Sequence, residues 1–154
     1  GTGLGGNEAM LGNGTHGFLL DTRVTGDLTV TVRVSDGSGH SVQRQCTVTS
    51  RYPKFSAMVQ TMSSAALYSD SPMTLIIRST EYAGDYTVSY TTTSTNCRVS
   101  YGGSMLRPDS PVTLEAGQHI FTANSSYAER TEFIFTITDI YGQSQQAQAP
   151  ITWR

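Results

Sequence analysis

The chain has 154 residues, with Lys+Arg 10 against Asp+Glu 12, a net charge of -2 and a pI near 5.9. That balance supplies no basic field for phosphates, which argues against a nucleic-acid partner and against a polybasic membrane contact. Only 14% of residues are charged, Ser and Thr are abundant, and no apolar run reaches the ~20 residues of a membrane-spanning helix, so the composition points to an all-β protein.

The length suits one full sandwich core and part of another. The glycine-rich start, residues 1–13, reads as a loop or frayed edge. Gly1 stands in mid-pattern with no basic-then-apolar leader, so the expectation is a piece of a longer polypeptide whose signal or anchor, if it has one, lies upstream. A short strand is predicted from Thr15 to Leu20. Leu28, Val30, Val32 and Val34 then alternate with Thr29, Thr31, Arg33 and Ser35, the period of a strand with one buried and one wet face. Asp36-Gly-Ser-Gly39 closes a hairpin, and Val42 to Thr49 is the returning strand.

Arg51-Tyr-Pro53-Lys54 marks a boundary, because proline cannot donate to a strand ladder and holds its predecessor extended. The expected division is 1–52 and 53–154. After it, strands are predicted at Phe55–Met62, Met73–Ser79, Tyr86–Thr91, Asn96–Tyr101 and Met105–Leu106, with turns at Ser69–Pro72, Gly84-Asp85 and Gly102-Gly103. The loop Pro108–Pro111 precedes three last strands, Val112–Thr122, Glu132–Ile140 and Ser144–Trp153. Short strands with turn signals every 8 to 12 residues and no helical period describe an antiparallel β-sandwich.

The two parts are related. At an offset of 103 positions and without a gap, Leu11–Arg51 matches Leu114–Arg154 at about 11 of 41 positions, where unrelated sequences would share roughly two or three. His16 and Phe18 fall on His119 and Phe121; Asp36, Gly39 and Ser41 fall on Asp139, Gly142 and Ser144. Val30, Val32 and Val34 fall on Phe133, Phe135 and Ile137. The second part is thus a complete repeat and the first only the later strands of another. Those strands would leave a half-open core, to be covered by the second unit, by the residues before Leu11, or by an upstream segment.

Histidine, aspartate and serine in a fixed order suggest a Ser/His/Asp site on paper. Both copies carry His and Asp at equivalent places, however. A scaffold needs its turn and corner residues in every copy, whereas catalysis needs one well-placed set. Asp36, Gly39, Asp139 and Gly142 are therefore read as structural turn residues, and no catalytic residue is assigned. No Gly-x-Ser-x-Gly elbow is present. No His/Cys/Asp spacing of a zinc or calcium site appears either, and the isolated acids Asp27, Asp70 and Glu81 are weak calcium donors, so no metal or cofactor is expected. A glycosidase pair would have to come from scattered turn acids. Cys46 and Cys97 fall in different units, which points to two free thiols, with Cys46 a small core residue. Tyr82, Tyr141 and Trp153, among eight tyrosines and one tryptophan, are candidates for an aromatic binding platform; Tyr86 and Tyr90 share a face with Val88 and read as core.

The run Tyr86-Thr-Val-Ser-Tyr90, then Gly103-Ser-Met-Leu106, Pro108-Asp109, Gly117 to Phe121 and Asp139-Ile-Tyr-Gly142-Gln resembles the immunoglobulin-like domain of conjugative-transposon TraQ-type proteins and related tandem surface repeats of Bacteroidetes. The resemblance covers about residues 53–154. It implies immunoglobulin-like sandwich repeats without enzymatic activity, exported to the periplasm or cell surface, with a structural or adhesive role. The expected partners are other repeats of the same chain and a protein or glycan ligand. A carbohydrate-binding sandwich is the alternative.

Overall fold

A computed structural model describes residues 10–18, 20 and 24–154. The chain divides into two units, Gly1–Arg51 and Tyr52–Arg154.

The described part of the first unit holds one antiparallel hairpin, β1 (Gly26–Ser35) and β2 (Ser41–Ser50), in register from Gly26 opposite Ser50 to Ser35 opposite Ser41. Its alternation puts Leu28, Val30, Val32 and Val34 on one face, opposite Val48, Cys46, Arg44 and Val42. Leu28 and Val30 are half-buried while Val32 and Val34 are exposed. The strand expected at residues 15–20 does not form among the described residues, which are irregular there. Cys46 is exposed rather than a core residue. Both corrections have one physical reason. A period-two pattern fixes which side chains share a face, but burying that face needs a second layer, and the described residues of this unit supply none.

The second unit is an immunoglobulin-like β-sandwich of two five-stranded sheets. One contains β3 (Ser56–Thr61), β5 (Ser71–Arg78), β10 (Gly117–Ser125), β7 (Cys97–Tyr101) and β8 (Ser104–Leu106), in that order. The other runs β4 (Ser64–Ala65), β12 (Ser144–Trp153), β11 (Arg130–Thr138), β6 (Tyr86–Thr92) and β9 (Val112–Leu114). All pairings are antiparallel except the two-residue contact of β4 with the end of β12.

The inward residues of each strand build the core. Met73, Leu75 and Ile77 on β5 and Phe121 and Ala123 on β10 face Tyr86, Val88 and Tyr90 on β6, Phe133, Phe135 and Ile137 on β11, and Ala149, Ile151 and Trp153 on β12. The small Ala147 and Ala149 lie directly opposite Phe135 and Phe133, so ring volume on β11 is balanced by its loss on β12. Phe121 meets Phe135 edge to face at 5.0 Å and stacks on Tyr101 at 4.7 Å.

Residues 112–122, read as one strand, are two. β9 ends at Leu114, and the chain crosses to the opposite sheet through Glu115 and Ala116. It restarts at Gly117, whose φ of 147° lies where only glycine sits without strain. Leu114 and Phe121 both face the core, so hydrophobic periodicity alone carries no sign of the crossing.

Candidate functional site

The repeated His and Asp positions make closely similar local hydrogen bonds in both units. In the second, the Asp139 carboxylate accepts the Tyr141 and Gln143 backbone N–H groups at 2.9 Å each and the Gln143 side-chain amide at 2.7 Å. In the first, Asp36 accepts the Ser38 and His40 backbone N–H groups at 2.9 Å each and the His40 ring at 3.0 Å. Gly39 and Gly142 close the turns at φ 88° and 82°. The His40 ring and the backbone donors hold the Asp36 carboxyl below the ordinary carboxylate value.

The histidines match as closely. His119 Nε2 donates to the Glu115 carbonyl at 2.8 Å, as His16 Nε2 does to the Gly12 carbonyl at 2.7 Å. His119 Nδ1 in turn accepts the Tyr101 hydroxyl at 3.0 Å. His16 and His119 thus each reach back four residues to a backbone carbonyl, His40 pairs with Asp36, and among the described residues none bonds a serine. Nor do the weighed calcium donors converge. Asp27 accepts from Thr49, Asp70 from Asn124 and Glu81 from the Lys54 backbone. Among the described residues no three His, Cys, Asp or Glu side chains gather in a metal-binding group.

The aromatic candidates separate. Trp153 is 1% exposed, because it continues the inward row Ala147, Ala149, Ile151 along β12. It cannot join a surface platform, and that expectation is corrected. Tyr82 and Tyr141 do meet, at 6.0 Å between ring centroids, and Tyr52, overlooked in the sequence, stacks on Tyr141 at 5.0 Å with an interplanar angle of 21°. Tyr82 also abuts the buried Tyr86 edge-on at 5.6 Å. Its hydroxyl is raised above the ordinary tyrosine value by desolvation first, and then by its Tyr141 and Asp85 neighbours.

Backbone bonds hold this cluster at one end of the sandwich. The Gln143 amide donates to the Pro53 carbonyl at 3.0 Å, the Ser79 hydroxyl to the Lys54 carbonyl at 3.0 Å, and the Lys54 N–H to Glu81 at 2.9 Å. The segment 52–55 is thus clasped between the β5–β6 loop and the β11–β12 turn. Gly84 leaves room for the Tyr82 ring; a Cβ there would come within 2.0 Å of its hydroxyl oxygen. A shallow depression of about 390 Å³ beside Tyr82 is lined by Ser79, Thr80, Glu81, Ala83, Glu115 and Ala116. Exposed aromatic rings beside carboxylates and hydroxyls can stack on an apolar ligand face and hydrogen-bond its rim. Tyr52 was detectable only as an aromatic beside Pro53.

No protein-family model matches the chain, and no curated protein matches it in sequence. Solved structures do. A conjugative transposon lipoprotein from Bacteroides eggerthii aligns at 15% identity and a TM-score of 0.55, over 66% of this chain and 98% of that one. A lipoprotein from Bacteroides thetaiotaomicron aligns at 16% identity and a TM-score of 0.56, over 68% and 83%. These likenesses establish a common sandwich fold.

Proposed function

We propose that the chain is a non-enzymatic, exported immunoglobulin-like repeat module with a structural or adhesive, protein-binding role at a bacterial cell surface. The observation that carries this reading is the duplicated Asp turn and His bridge: the same bonds recur at Asp36 and Asp139 and at His16 and His119. Polar residues that recur with the same local partners serve the architecture of each copy. The fold shared with two Bacteroides lipoproteins supports placing it beside TraQ-type and related surface-repeat domains, and supports export to the envelope.

Carbohydrate binding is the second reading, favoured by the cluster of Tyr52, Tyr82 and Tyr141. A glycan array and an envelope-protein array probed with the same labelled chain separate the two. Saturable protein binding unaffected by Tyr141→Ala supports the first; saturable glycan binding abolished by Tyr141→Ala replaces it with the second. Polysaccharide turnover lost on changing a single acid would overturn the non-enzymatic assignment.

A further inference from the structure

A second depression, of about 650 Å³, adjoins the one beside Tyr82 and shares Ser79, Thr80 and Ala116 with it. Its walls carry the two cations Lys54 and Arg78 and the hydroxyl of Ser56. Ala116 and Gly117, at the crossing from β9 to β10, also line it and put little bulk into it.

The cations meet because of strand register. Ser56 on β3 lies opposite Arg78 on β5, and Lys54 precedes Ser56 by two positions, so it takes the same outward side. The Ser79 hydroxyl, donating to the Lys54 carbonyl at 3.0 Å, holds residue 54 beside the end of β5. Lys54 and Arg78 are both exposed. As diagonal neighbours on one face they repel each other, and an anion seated between them relieves that repulsion. Arg78 adds a planar fork that takes both oxygens of a carboxylate.

Charge changes sign from one depression to the other. The one beside Tyr82 is lined by the carboxylates of Glu81 and Glu115, and Glu81 is held in place by the Lys54 N–H at 2.9 Å. A ligand with a carboxylate on every unit would meet those acids. One with a neutral ring joined to an acidic ring suits both ends: the neutral ring lies against Tyr82 with its hydroxyls toward Glu81, and the carboxylate reaches Arg78 and Lys54. An acidic peptide supplies the carboxylate but no flat, hydroxyl-rimmed ring for the Tyr82 end. We infer that these adjoining depressions bind an acidic heteroglycan, in which a uronic acid is joined to a neutral sugar, and that Arg78 and Lys54 select the acid. The inference deepens the carbohydrate reading and rests on it.

The probes are glucuronosyl-galactose and its carboxyl-reduced counterpart glucosyl-galactose, titrated by calorimetry into the 154-residue chain at low salt, with tetraglutamate as the peptide control. The expected result is binding of the acid at least ~10-fold tighter than of the neutral sugar, the scale of a hydrogen-bonded charge. Arg78→Gln should abolish that preference and Lys54→Gln reduce it, while the neutral sugar binds all three proteins alike. Bound acid should also slow acylation of Lys54, the one lysine in the sequence, read by mass spectrometry on its peptide. Urea unfolding checks that both variants, altered only at exposed positions, keep the fold. The inference is overturned if the two disaccharides bind equally, if neither binds, or if Arg78→Gln leaves the preference intact. It is also overturned if tetraglutamate binds as tightly as the acid with the same dependence on Arg78, which would make this an acidic-peptide site. Neutral glycans bound on the array and lost in Tyr141→Ala, with no preference for the acid, would end the inference and leave the carbohydrate reading standing, so the two fail separately.

Discussion

Gln143 donates its side-chain amide to the Asp139 carboxylate at 2.7 Å while reaching the Pro53 carbonyl at 3.0 Å. One side chain thereby ties the β11–β12 turn to the segment leading into β3. Asp139 is 7% exposed, so Asp139→Ala would strip an acceptor from two backbone N–H groups and the Gln143 amide where water reaches poorly. A loss of about 2–3 kcal/mol is expected in urea unfolding followed by Trp153 fluorescence. Asp36→Ala, in the exposed turn of the first unit, should leave that transition within about 0.5 kcal/mol. Equal losses would deny the difference in burial.

How much of this was legible depends on whether the signal was local. The Asp139 turn, the inward row Phe133, Phe135, Ile137 and the Gly102-Gly103 turn at φ 58° and 81° are specified by neighbouring residues and could be read directly. The break at Gly117 was not, because Leu114 and Phe121 face the core in different sheets and hydrophobic period does not record which sheet. β4 escaped notice because two residues pairing in parallel with Thr152 and Trp153 leave no pattern. Trp153, a candidate for the aromatic platform, instead continues the inward Ala147, Ala149, Ile151 alternation into the core. Tyr52 joins the candidate site through stacking on a residue 89 positions away, a relation no local pattern contains.

Phe133 and Phe135 fill the centre of the sandwich and are fully buried, with no polar atom to recruit water into a vacated space. Replacing either with alanine should cost about 3–5 kcal/mol. Thr136→Ala, on the outward face of the same strand, should cost less than about 1 kcal/mol. Thermal and urea unfolding of the three variants checks this. Similar small losses at all three would remove the assigned strand face.

Tyr86 is 1% exposed, packed against Phe55 at 5.0 Å and Tyr82 at 5.6 Å, and its hydroxyl has no hydrogen-bond partner among the described residues. A desolvated hydroxyl without a partner opposes folding, so Tyr86→Phe should leave stability unchanged or raise it by up to about 1 kcal/mol. Tyr86→Ala should instead lose about 3–5 kcal/mol with its ring. A loss above about 1 kcal/mol for the phenylalanine variant would mean that the hydroxyl is satisfied.

Tyr90 provides the alkaline test. Its hydroxyl donates to the Leu106 carbonyl at 3.1 Å, and desolvation first, then the Cys97 thiol, raises it above the ordinary tyrosine value of 10.0. As pH climbs through that value, the unfolded chain releases this proton before the folded chain does. The folded state then holds more protons than the unfolded one, and stability falls with pH until the folded group also ionises. Below the unfolded value both states are protonated and Tyr90 gives no slope. Tyr90→Phe removes this titration, so its stability should decline less steeply than wild type above pH ~10, although losing the Leu106 bond costs about 1 kcal/mol at neutral pH. Urea midpoints from neutral to alkaline pH, followed by Trp153 emission, give both slopes. Other tyrosines titrate equally in the two proteins, which makes the difference between slopes the diagnostic quantity, and parallel slopes would mean that Tyr90 ionises alike in folded and unfolded chains.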